Sequence, residues 1–318
     1  MSTTLDHIVI LVAPETLANL PPWLTSSFTI INGGRHSNGI TENKLILFQD
    51  GVYIELIAFV RGTPPQDRAS TRWGRRDEGE IVDFALTLLS PKGEDGFNPE
   101  DSFRQHVQER VREAQTGLEY SNPIAGGRVT PDGTELRWAV AAPRWTVSEE
   151  DRREDVSVEG ELPFWCLDRT SRDLRVPFRA KRDATVHECG AVGVRAVEVA
   201  VKADVEGIGK IRRVYESFLG KGGAVDGFQW SKTSWELDVP EKVVPSSATG
   251  PSATVLTLQA EGQARDPPEN PGAGIESSNS KGSVHISLVL FTAGPSRGLS
   301  GEIGPGRTLN IELVKLPA

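Results

Sequence analysis

The residues of this sequence with the clearest chemical potential are a histidine and a glutamate in two apolar segments. His7 lies in the first β-branched run, and Glu55 lies in the fourth, within Tyr53-Ile54-Glu55-Leu56-Ile57. An imidazole nitrogen and a carboxylate oxygen on neighbouring strands can form a hydrogen-bonded pair, and both also suit Zn²⁺, Fe²⁺, Mn²⁺ or Ni²⁺ as ligands. The two residues are therefore candidates either for a structural pair or for a functional site.

A second set of residues could contact a small-molecule substrate. Arg35 and His36 follow Gly33-Gly34, which we interpret as a turn, and loop residues beside a cleft often determine specificity. Tryptophans on strands belong either to the core or to the wall of a ligand pocket. The expected substrate contacts are Arg35, His36, Asn43, Trp138 and Trp165.

Three similar groups of elements position these residues. The chain has 32 glycines and 21 prolines, which divide it into short β-branched runs between turn signals. Each group begins with a strand, continues with a helix and ends with further strands. The opening strands are predicted at 5–12, 81–89 and 194–201, and the helices at 15–23, 98–115 and 204–220.

The later strands of each group complete the predicted pattern. They are expected at 28–31, 44–48 and 52–59, at 135–141 and 162–167, and at 234–239, 254–259, 284–291 and 309–315, with a hairpin turn at 50–51. The charged stretch at 147–161 is interpreted as a solvated excursion, and the polar stretch at 261–281 as a disordered loop.

The repeated pattern predicts an α+β fold made of βαβββ modules. A single small curved sheet cannot bury its concave face, so two modules must pair into a half-open barrel with a ligand cleft. We expect residues 1–175 to hold two paired modules, at about 1–62 and 80–170, and residues 176–318 to hold a third. Either the third module completes the first barrel, or the third module finds its own partner in another chain, as in a homodimer.

Three segments resemble the glyoxalase-like branch of the vicinal oxygen chelate superfamily, in spacing and in order. The resemblance continues more weakly through Phe84-Ala85-Leu86, Leu136-Arg137-Trp138 and Leu162-Pro163-Phe164, and so covers about the first 175 residues. The three segments are Leu5-Asp6-His7-Ile8-Val9, then Gly33-Gly34-Arg35-His36 with Asn43-Lys44-Leu45, and then Tyr53-Ile54-Glu55-Leu56-Ile57.

The resemblance implies a divalent metal held by the first and last strands of paired modules. The metal would chelate two neighbouring substrate oxygens and stabilise an enolate, or it would activate dioxygen. Carried over by position, His7 and Glu55 match metal-ligand positions, and Glu55 could leave the metal to act as a general base. The resemblance therefore implies catalytic roles for both residues.

The second module departs from the ligand pattern of the family. Its opening strand offers Phe84 and its last strand offers Trp165-Cys166-Leu167, none of which supplies a good hard ligand. In the third module, Ala196 takes the position of His7, and Glu312 is the one residue that mirrors Glu55. Glu312 is therefore the remaining candidate ligand, and a metal-free site stays open as an alternative.

The composition excludes several classes of partner. The 35 Lys and Arg residues against 44 Asp and Glu leave a net charge of 35 − 44 = −9, without a long basic run, so we expect neither nucleic acid nor a membrane as a partner. The two cysteines are too few for a disulfide framework, and the first apolar run is not a secretion signal. These features favour the cytoplasm.

The sequence thus leaves two main hypotheses about function. The first is an enzyme that uses a divalent metal on a small oxygenated substrate, by lyase, isomerase or ring-opening dioxygenase chemistry. The second is a metal-free pocket, either in a protein that binds or sequesters a small molecule or in an enzyme that relies on acid–base residues alone. The missing partner ligands motivate the second hypothesis.

Overall fold

The structure of the protein is a computed structural model. The structure describes residues 2–90, 96–130, 132–146, 160–224, 232–244, 248, 252–261 and 284–317. Most of the predicted excursion at 147–161 and nearly all of the predicted loop at 261–281 lie outside the described residues. No helix in the described part of the chain combines the length and apolar character needed to cross a membrane.

The first half of the chain forms a mixed sheet with the strand order β2-β3-β4-β1-β5-β10-β8-β7, once the strands are numbered along the chain. Two further short strands, β6 and β9, pair with each other beside it. The strands are β1 Ser2–Leu11, β2 Ile31–Arg35, β3 Thr41–Leu47, β4 Tyr53–Phe59, β5 Glu80–Leu89, β6 Leu118–Tyr120, β7 Ile124–Val129, β8 Glu135–Ala141, β9 Pro143–Trp145 and β10 Phe164–Asp168.

Two βαβββ modules meet at the centre of this sheet. The opening strands β1 and β5 are antiparallel to each other, and each is parallel to the last strand of its own module, β4 or β10. At the edges, the backbone N–H of Ser37, just after β2, donates to the carbonyl of Gly127 in β7 at 2.9 Å. The sheet is therefore a nearly closed barrel, and the predicted α+β fold with paired modules is confirmed.

The helices are short apart from one in each half of the chain. Asn98 caps the α4 segment by accepting hydrogen bonds from the next turn, and Phe103, Val107 and Val111 bury the predicted face. One π-helical turn at Arg104–Gln108 joins α4 to α5. The helices are α1 Pro14–Ala18, α2 Pro22–Ser27, α3 Pro65–Ala69, α4 Pro99–Phe103, α5 Glu109–Glu113, α6 Arg172–Arg175 and α7 Val205–Leu219, with a 3₁₀ turn at Arg182–Thr185.

The second half of the chain forms another sheet, with the order β12-β13-β14-β11-β15-β17-β16. Its opening strand β11 is antiparallel to β15, and β15 is parallel to β17, as β5 is to β10. The strands are β11 Ala191–Val201, β12 Gly223–Ala224, β13 Lys232–Leu237, β14 Thr254–Ala260, β15 Val284–Thr292, β16 Arg297–Gly304 and β17 Arg307–Lys315.

Three sequence predictions are corrected by this architecture. The strands predicted at 284–291 and 309–315 do not belong to the third βαβββ module, whose strands are β11 to β14. They correspond to β15 and β17, in the other half of the second sheet. The helix predicted at 15–23 is two helices, because Pro22 begins α2 instead of ending a longer helix. The turn predicted at Gly33-Gly34 lies within β2, where a bulge next to Gly34 absorbs the irregularity.

The main core lies between the two sheets. Apolar side chains from the outer face of the first sheet, from α7 and from the second sheet form one continuous cluster. The phenol of Tyr215 in α7 donates to the carbonyl of Glu161 at 2.7 Å, and Phe218 packs edge-on against Trp165 at 5.5 Å. The outer face of the first sheet is therefore committed to structure, which leaves its inner face for a site.

Candidate active site

A cavity of about 360 Å³ lies on the inner face of the first sheet. Both modules contribute polar and apolar side chains to its wall. The polar side chains along it include His7, His36, Asn43, Glu55, Arg72, Arg128 and Arg175, and the apolar ones include Trp73, Trp138, Val140 and Phe164. A volume of this size is in the range of small-molecule sites.

His7 lies among the polar side chains that line the cavity. Its Nδ1 lies 2.6 Å from an oxygen of Asp6, and its Nε2 lies 3.5 Å from Oε2 of Glu55. The imidazole stacks on Tyr53 with ring centroids 4.6 Å apart. Burial alone would lower the pKa of His7, but its hydrogen bonds to the carboxylates of Asp6 and Glu55, together with their charges, raise it overall.

Asp6 holds His7 from behind. A β-bulge in β1 between Leu5 and His7 inserts Asp6 as an extra residue, so that two consecutive side chains serve one site. Burial would raise the pKa of Asp6, but Arg172, Arg175 and His7 keep it well below its usual value. A carboxylate held in place by two arginines fixes the orientation of the imidazole that binds it.

Arg175 ties the network around Asp6 to the rest of the site. Its guanidinium donates to Asp6 at 3.0 Å through two nitrogens, to Asp168 at 2.6 and 2.8 Å, and to the hydroxyl of Tyr53 at 2.9 Å. Arg172 adds a further ion pair to Asp6. Helix α6 thus braces β1, the opening strand of the first module.

Glu55 is the second reactive group. It accepts a hydrogen bond from Nδ2 of Asn43 at 2.5 Å, and Nε2 of His36 lies 3.6 Å from its Oε1. Burial would raise the pKa of Glu55, but the hydrogen bond with His7, the charges of His36 and His7, and the hydrogen bond from Asn43 lower it to about 2. Glu55 is therefore a carboxylate at neutral pH.

The structure brings five of the predicted residues to the cavity. These are His7, His36, Asn43, Glu55 and Trp138. Burial lowers the pKa of His36, with Glu55 acting against this and Arg128 and His7 adding to it. Its Nδ1 lies 2.7 Å from the hydroxyl of Thr41. His36 is therefore a neutral hydrogen-bonding group near pH 7.

Three predicted residues lie elsewhere. Arg35 is exposed on β2 and does not line the cavity. Trp165 is fully buried on the opposite face of β10, between the helices, because its neighbours Phe164 and Cys166 take the inner face. Glu312 is exposed on β17 of the second sheet, where it pairs with Val289 and not at the position equivalent to Glu55.

The second module supplies no counterpart of the reactive pair. In the register of the central strands, Ala85 and not Phe84 lies opposite His7, and Phe84 packs into the main core. On β10 the inner face carries Phe164 and Cys166. Burial raises the pKa of the Cys166 thiol well above its usual value, so it is neither a thiolate ligand nor a nucleophile.

This arrangement does not fit the divalent metal that the resemblance implies. Among the residues that the structure describes, no three His, Cys, Asp or Glu side chains are arranged to hold a metal ion. Donor groups face both oxygens of Glu55, since Asn43 binds Oε1 and His7 faces Oε2. The raised pKa of His7 favours a protonated imidazole, which has no free lone pair for a metal.

Sequence reasoning missed Asp6, Tyr53, Arg128 and Arg175. Asp6 carried a signal, because a charged residue beside His7 within a buried strand needs a partner. Arg175 carried no such signal. Helix α6 was not predicted, and the contacts of Arg175 with Tyr53 and Asp6 span 122 and 169 residues of the chain.

Comparisons with known proteins agree with this architecture. Residues 5–213, about two thirds of the chain, match the family model of the glyoxalase-like domain, and the chain belongs to this family. No curated protein matches the sequence.

One solved structure shows the same fold at low sequence identity. A hypothetical protein from Staphylococcus aureus aligns over 99% of this chain and 100% of its own, with 13% identity and a TM-score of 0.59. Two others align less well. A fusion of a xylose isomerase-like TIM barrel with 4-hydroxyphenylpyruvate dioxygenase aligns over 92% and 37%, with 11% identity and a TM-score of 0.41. A glyoxalase I variant from Zea mays aligns over 81% and 94%, with 9% identity and a TM-score of 0.23.

Proposed function

We propose that this protein is an enzyme that transfers a proton at a carbon next to a carbonyl group of a small oxygenated substrate. His7 and Glu55 form the acid–base pair, and no metal takes part. The observation that carries the proposal is that both groups face one cavity, with Asp6 behind His7. An oriented acid and an oriented base beside an enclosed space are what enolisation requires.

The pKa directions assign a role to each group. The raised pKa of His7 favours its imidazolium form, and the lowered pKa of Glu55, about 2, makes it a carboxylate at neutral pH. The Nε2–H of His7 donates to the substrate carbonyl oxygen, and a carboxylate oxygen of Glu55 takes the proton from the neighbouring carbon. The C–H electron pair becomes the double bond of the enol, and the carbonyl oxygen receives the proton of His7.

Substrate binding makes Glu55 a stronger base. Its pKa of about 2 depends in part on the contact with His7. When the imidazolium turns its Nε2–H to the substrate oxygen, Glu55 loses that stabilisation while burial still raises its pKa. Asp6 keeps its hydrogen bond to Nδ1 throughout, so the imidazole stays oriented in both charge states.

The enol has two fates that define the reaction class. Return of a proton to the other carbon of the enol gives an isomerase, and departure of a group from the adjacent carbon gives a lyase. In either case, Glu55 gives up the proton that it took, and His7 recovers a proton from the enol hydroxyl. Both groups then have their starting charges. The two outcomes share the first step, so one experiment tests both.

A metal-free binding or sequestering protein is the second candidate. It is favoured by the surroundings of Glu55. His7, His36 and Asn43 lower the pKa of Glu55 to about 2, which makes this carboxylate a weak base. In a binding protein, the same carboxylate would only accept hydrogen bonds from a ligand. The two candidates differ in whether a carbon-bound proton exchanges with solvent.

The test follows the loss of carbon-bound protons in D₂O by NMR. We would incubate the protein with a panel of small 2-hydroxy and 2-oxo carbonyl compounds, and we expect at least one to exchange its α-proton. Glu55→Gln should abolish this exchange, because an amide cannot accept the proton. Glu42→Gln, on β3, is the matched control and should exchange normally, since Glu42 does not line the cavity. Exchange that persists in Glu55→Gln would exclude Glu55 as the base, and binding without exchange would favour the second candidate.

A further inference from the structure

One of the cationic side chains around the cavity has no ion-pair partner among the described residues. Four cationic side chains line it, which are His7, Arg72, Arg128 and Arg175. Three of them have a carboxylate partner within ion-pair distance. These pairs are His7 with Asp6 and Glu55, Arg72 with Asp83 at 2.5 Å, and Arg175 with Asp6 and Asp168.

Arg128 is the exception. It lies on β7 with only 9% of its surface exposed, yet in the part of the chain that the structure describes no carboxylate oxygen lies within 4.0 Å of its guanidinium and no hydrogen-bond partner is present. Burial lowers its pKa, with Tyr53 and Glu55 acting in the opposite direction. Arginine nevertheless stays protonated in proteins, so Arg128 carries a buried positive charge that no carboxylate of the described residues pairs with within 4.0 Å.

The backbone around Arg128 makes room for this guanidinium. A side chain at Gly33 would place its Cβ 1.8 Å from Oδ1 of Asn43 and 3.0 Å from Nη1 of Arg128. Glycine at this position therefore lets both polar groups reach the cavity from the seam between β2 and β7. Next to Arg128, the carbonyl of Gly127 accepts the hydrogen bond that joins the two edges, which holds the strand in place.

An uncompensated buried charge is costly unless a ligand neutralises it. We propose that the substrate is a small carboxylate with an apolar, preferably aromatic, body, and that the guanidinium of Arg128 binds its carboxylate. This deepens the proposed function, on which it rests. A single guanidinium matches the geometry and the single charge of a carboxylate, and a fork-to-fork pair of hydrogen bonds also fixes the orientation of the ligand.

The cavity also offers apolar surface for the rest of such a ligand. Trp73, Trp138, Val140 and Phe164 line it, three of them with aromatic rings. Phe164 lies edge-on to His7 with ring centroids 5.3 Å apart, so a flat apolar body against this ring would lie beside the acid–base pair. The cavity volume of about 360 Å³ accommodates a single aromatic ring with a short acid side chain.

The test compares mandelate with mandelamide, its neutral amide, as ligands of the full-length protein. Binding is measured by calorimetry and by the increase in thermal midpoint that a ligand of the folded state produces. We expect mandelate to bind with a dissociation constant of about 1 mM or tighter, and mandelamide to bind more weakly. Arg128→Gln should weaken mandelate binding about 10- to 100-fold, as expected for lost hydrogen bonds between charged groups, and should change mandelamide binding little.

Two further variants separate this role from a structural one. Arg137→Gln, on the neighbouring strand β8, removes an exposed arginine that does not line the cavity and should bind mandelate normally. Arg128→Lys should retain part of the affinity. The thermal midpoint of Arg128→Gln without ligand should not fall, because the variant removes a buried charge that has no partner.

The outcomes that overturn the proposal are distinct from those that overturn the proposed function. Equal affinity for mandelate and mandelamide, unchanged mandelate binding in Arg128→Gln, or no binding of mandelate to the natural protein would each refute the carboxylate anchor. Glu55→Gln should still bind mandelate. If it does and the natural protein exchanges no α-proton of any compound in the panel, the carboxylate anchor stands and the enzymatic role fails.

Discussion

At the scale of single residues, the site depends on how Asp6 sets the charge of His7. Asp6 lies 2.6 Å from Nδ1, and its hydrogen bond and charge help to raise the pKa of His7. The proposed reaction needs the imidazolium, so activity is present below this pKa and is lost as the pH rises through it. A change at Asp6 should therefore move the alkaline limb of the pH profile.

We predict that Asp6→Asn lowers the pKa of His7 and shifts the alkaline limb to lower pH. The measurement is an NMR titration of the His7 imidazole, assigned by comparison with His7→Gln, and it does not depend on knowing the substrate. Asp173→Asn, on α6, is the control because, among the residues that the structure describes, its exposed carboxylate pairs only with Arg179. An unchanged His7 pKa in folded Asp6→Asn would show that Asp6 does not act through this hydrogen bond.

The donor set of the site leads to a second prediction, on metal content. Protein produced with added Zn, Fe, Mn and Ni and purified without chelators should contain substoichiometric metal, because Asn43 and His7 already face the two oxygens of Glu55. Treatment with EDTA should leave α-proton exchange unchanged. Stoichiometric metal that is lost in His7→Gln but retained in Glu312→Gln would contradict this prediction and favour the metal-assisted mechanism.

Sequence reasoning could find His7 and Glu55 but not Arg128, for a physical reason. The two acid–base residues interrupt strongly apolar strands, so their positions and spacing stand out. Arg128 lies in β7, whose two glycines and exposed Ile124 and Val129 give no strand pattern. Its importance lies in the absence of a partner, which is a property of the folded surroundings.

At the scale of elements, the face of each strand was harder to predict than the strand itself. The strands predicted at 5–12, 44–48 and 52–59 overlap β1, β3 and β4, and 135–141 coincides with β8, whereas the strand predicted at 28–31 shares only Ile31 with β2. In β10, however, Phe164, Trp165 and Cys166 are all buried, because the strand is covered on both faces. Without polar alternation the sequence cannot show which face a residue takes, and this is why Trp165 was expected in the cleft.

The two tryptophans of the second module should therefore behave differently when truncated. Trp165→Ala should lower the free energy of unfolding by about 3–5 kcal/mol, because it empties a fully buried site packed against Phe103 and Phe218. Trp138→Ala, at the cavity wall, should cost less stability and instead weaken ligand binding. Urea denaturation with a binding assay checks both, and the reverse pattern would place Trp165 in the site after all.

At the scale of the whole molecule, the two sheets repeat one architecture but not its chemistry. Ala196 pairs with Val289 across the centre of the second sheet, as His7 pairs with Ala85 in the first, and Thr257 takes the position of Glu55. Within the described residues, the acid–base pair therefore occurs in one sheet. The second sheet supports the first through the shared core and through Asp50, which accepts a hydrogen bond from the backbone of Val194 at 2.7 Å.

The linker between the two sheets is anchored by a neutral histidine. The backbone N–H of Thr29 donates to Nδ1 of His187 at 3.1 Å, and Nε2–H of His187 donates to the carbonyl of Leu47 at 2.9 Å. Burial lowers the pKa of His187 to about 4, with the hydrogen bond to Leu47 acting against it. Between pH 6.5 and 4 the unfolded chain binds a proton that the folded chain does not, so His187 makes the fold less stable as the pH falls.

We predict that His187→Gln removes about 3 kcal/mol of the acid-induced loss of stability, the value that corresponds to this pKa difference. Denaturant unfolding at pH 7 and pH 4 gives the two free energies. The comparison must be made between variants, because burial raises the pKa of Asp50 to about 7 and its protonation stabilises the fold over the same range. His285→Gln, an exposed histidine on β15, is the matched control and should follow the natural protein. If His187→Gln lost as much stability as that control between the two pH values, the neutral anchor of the linker would be refuted.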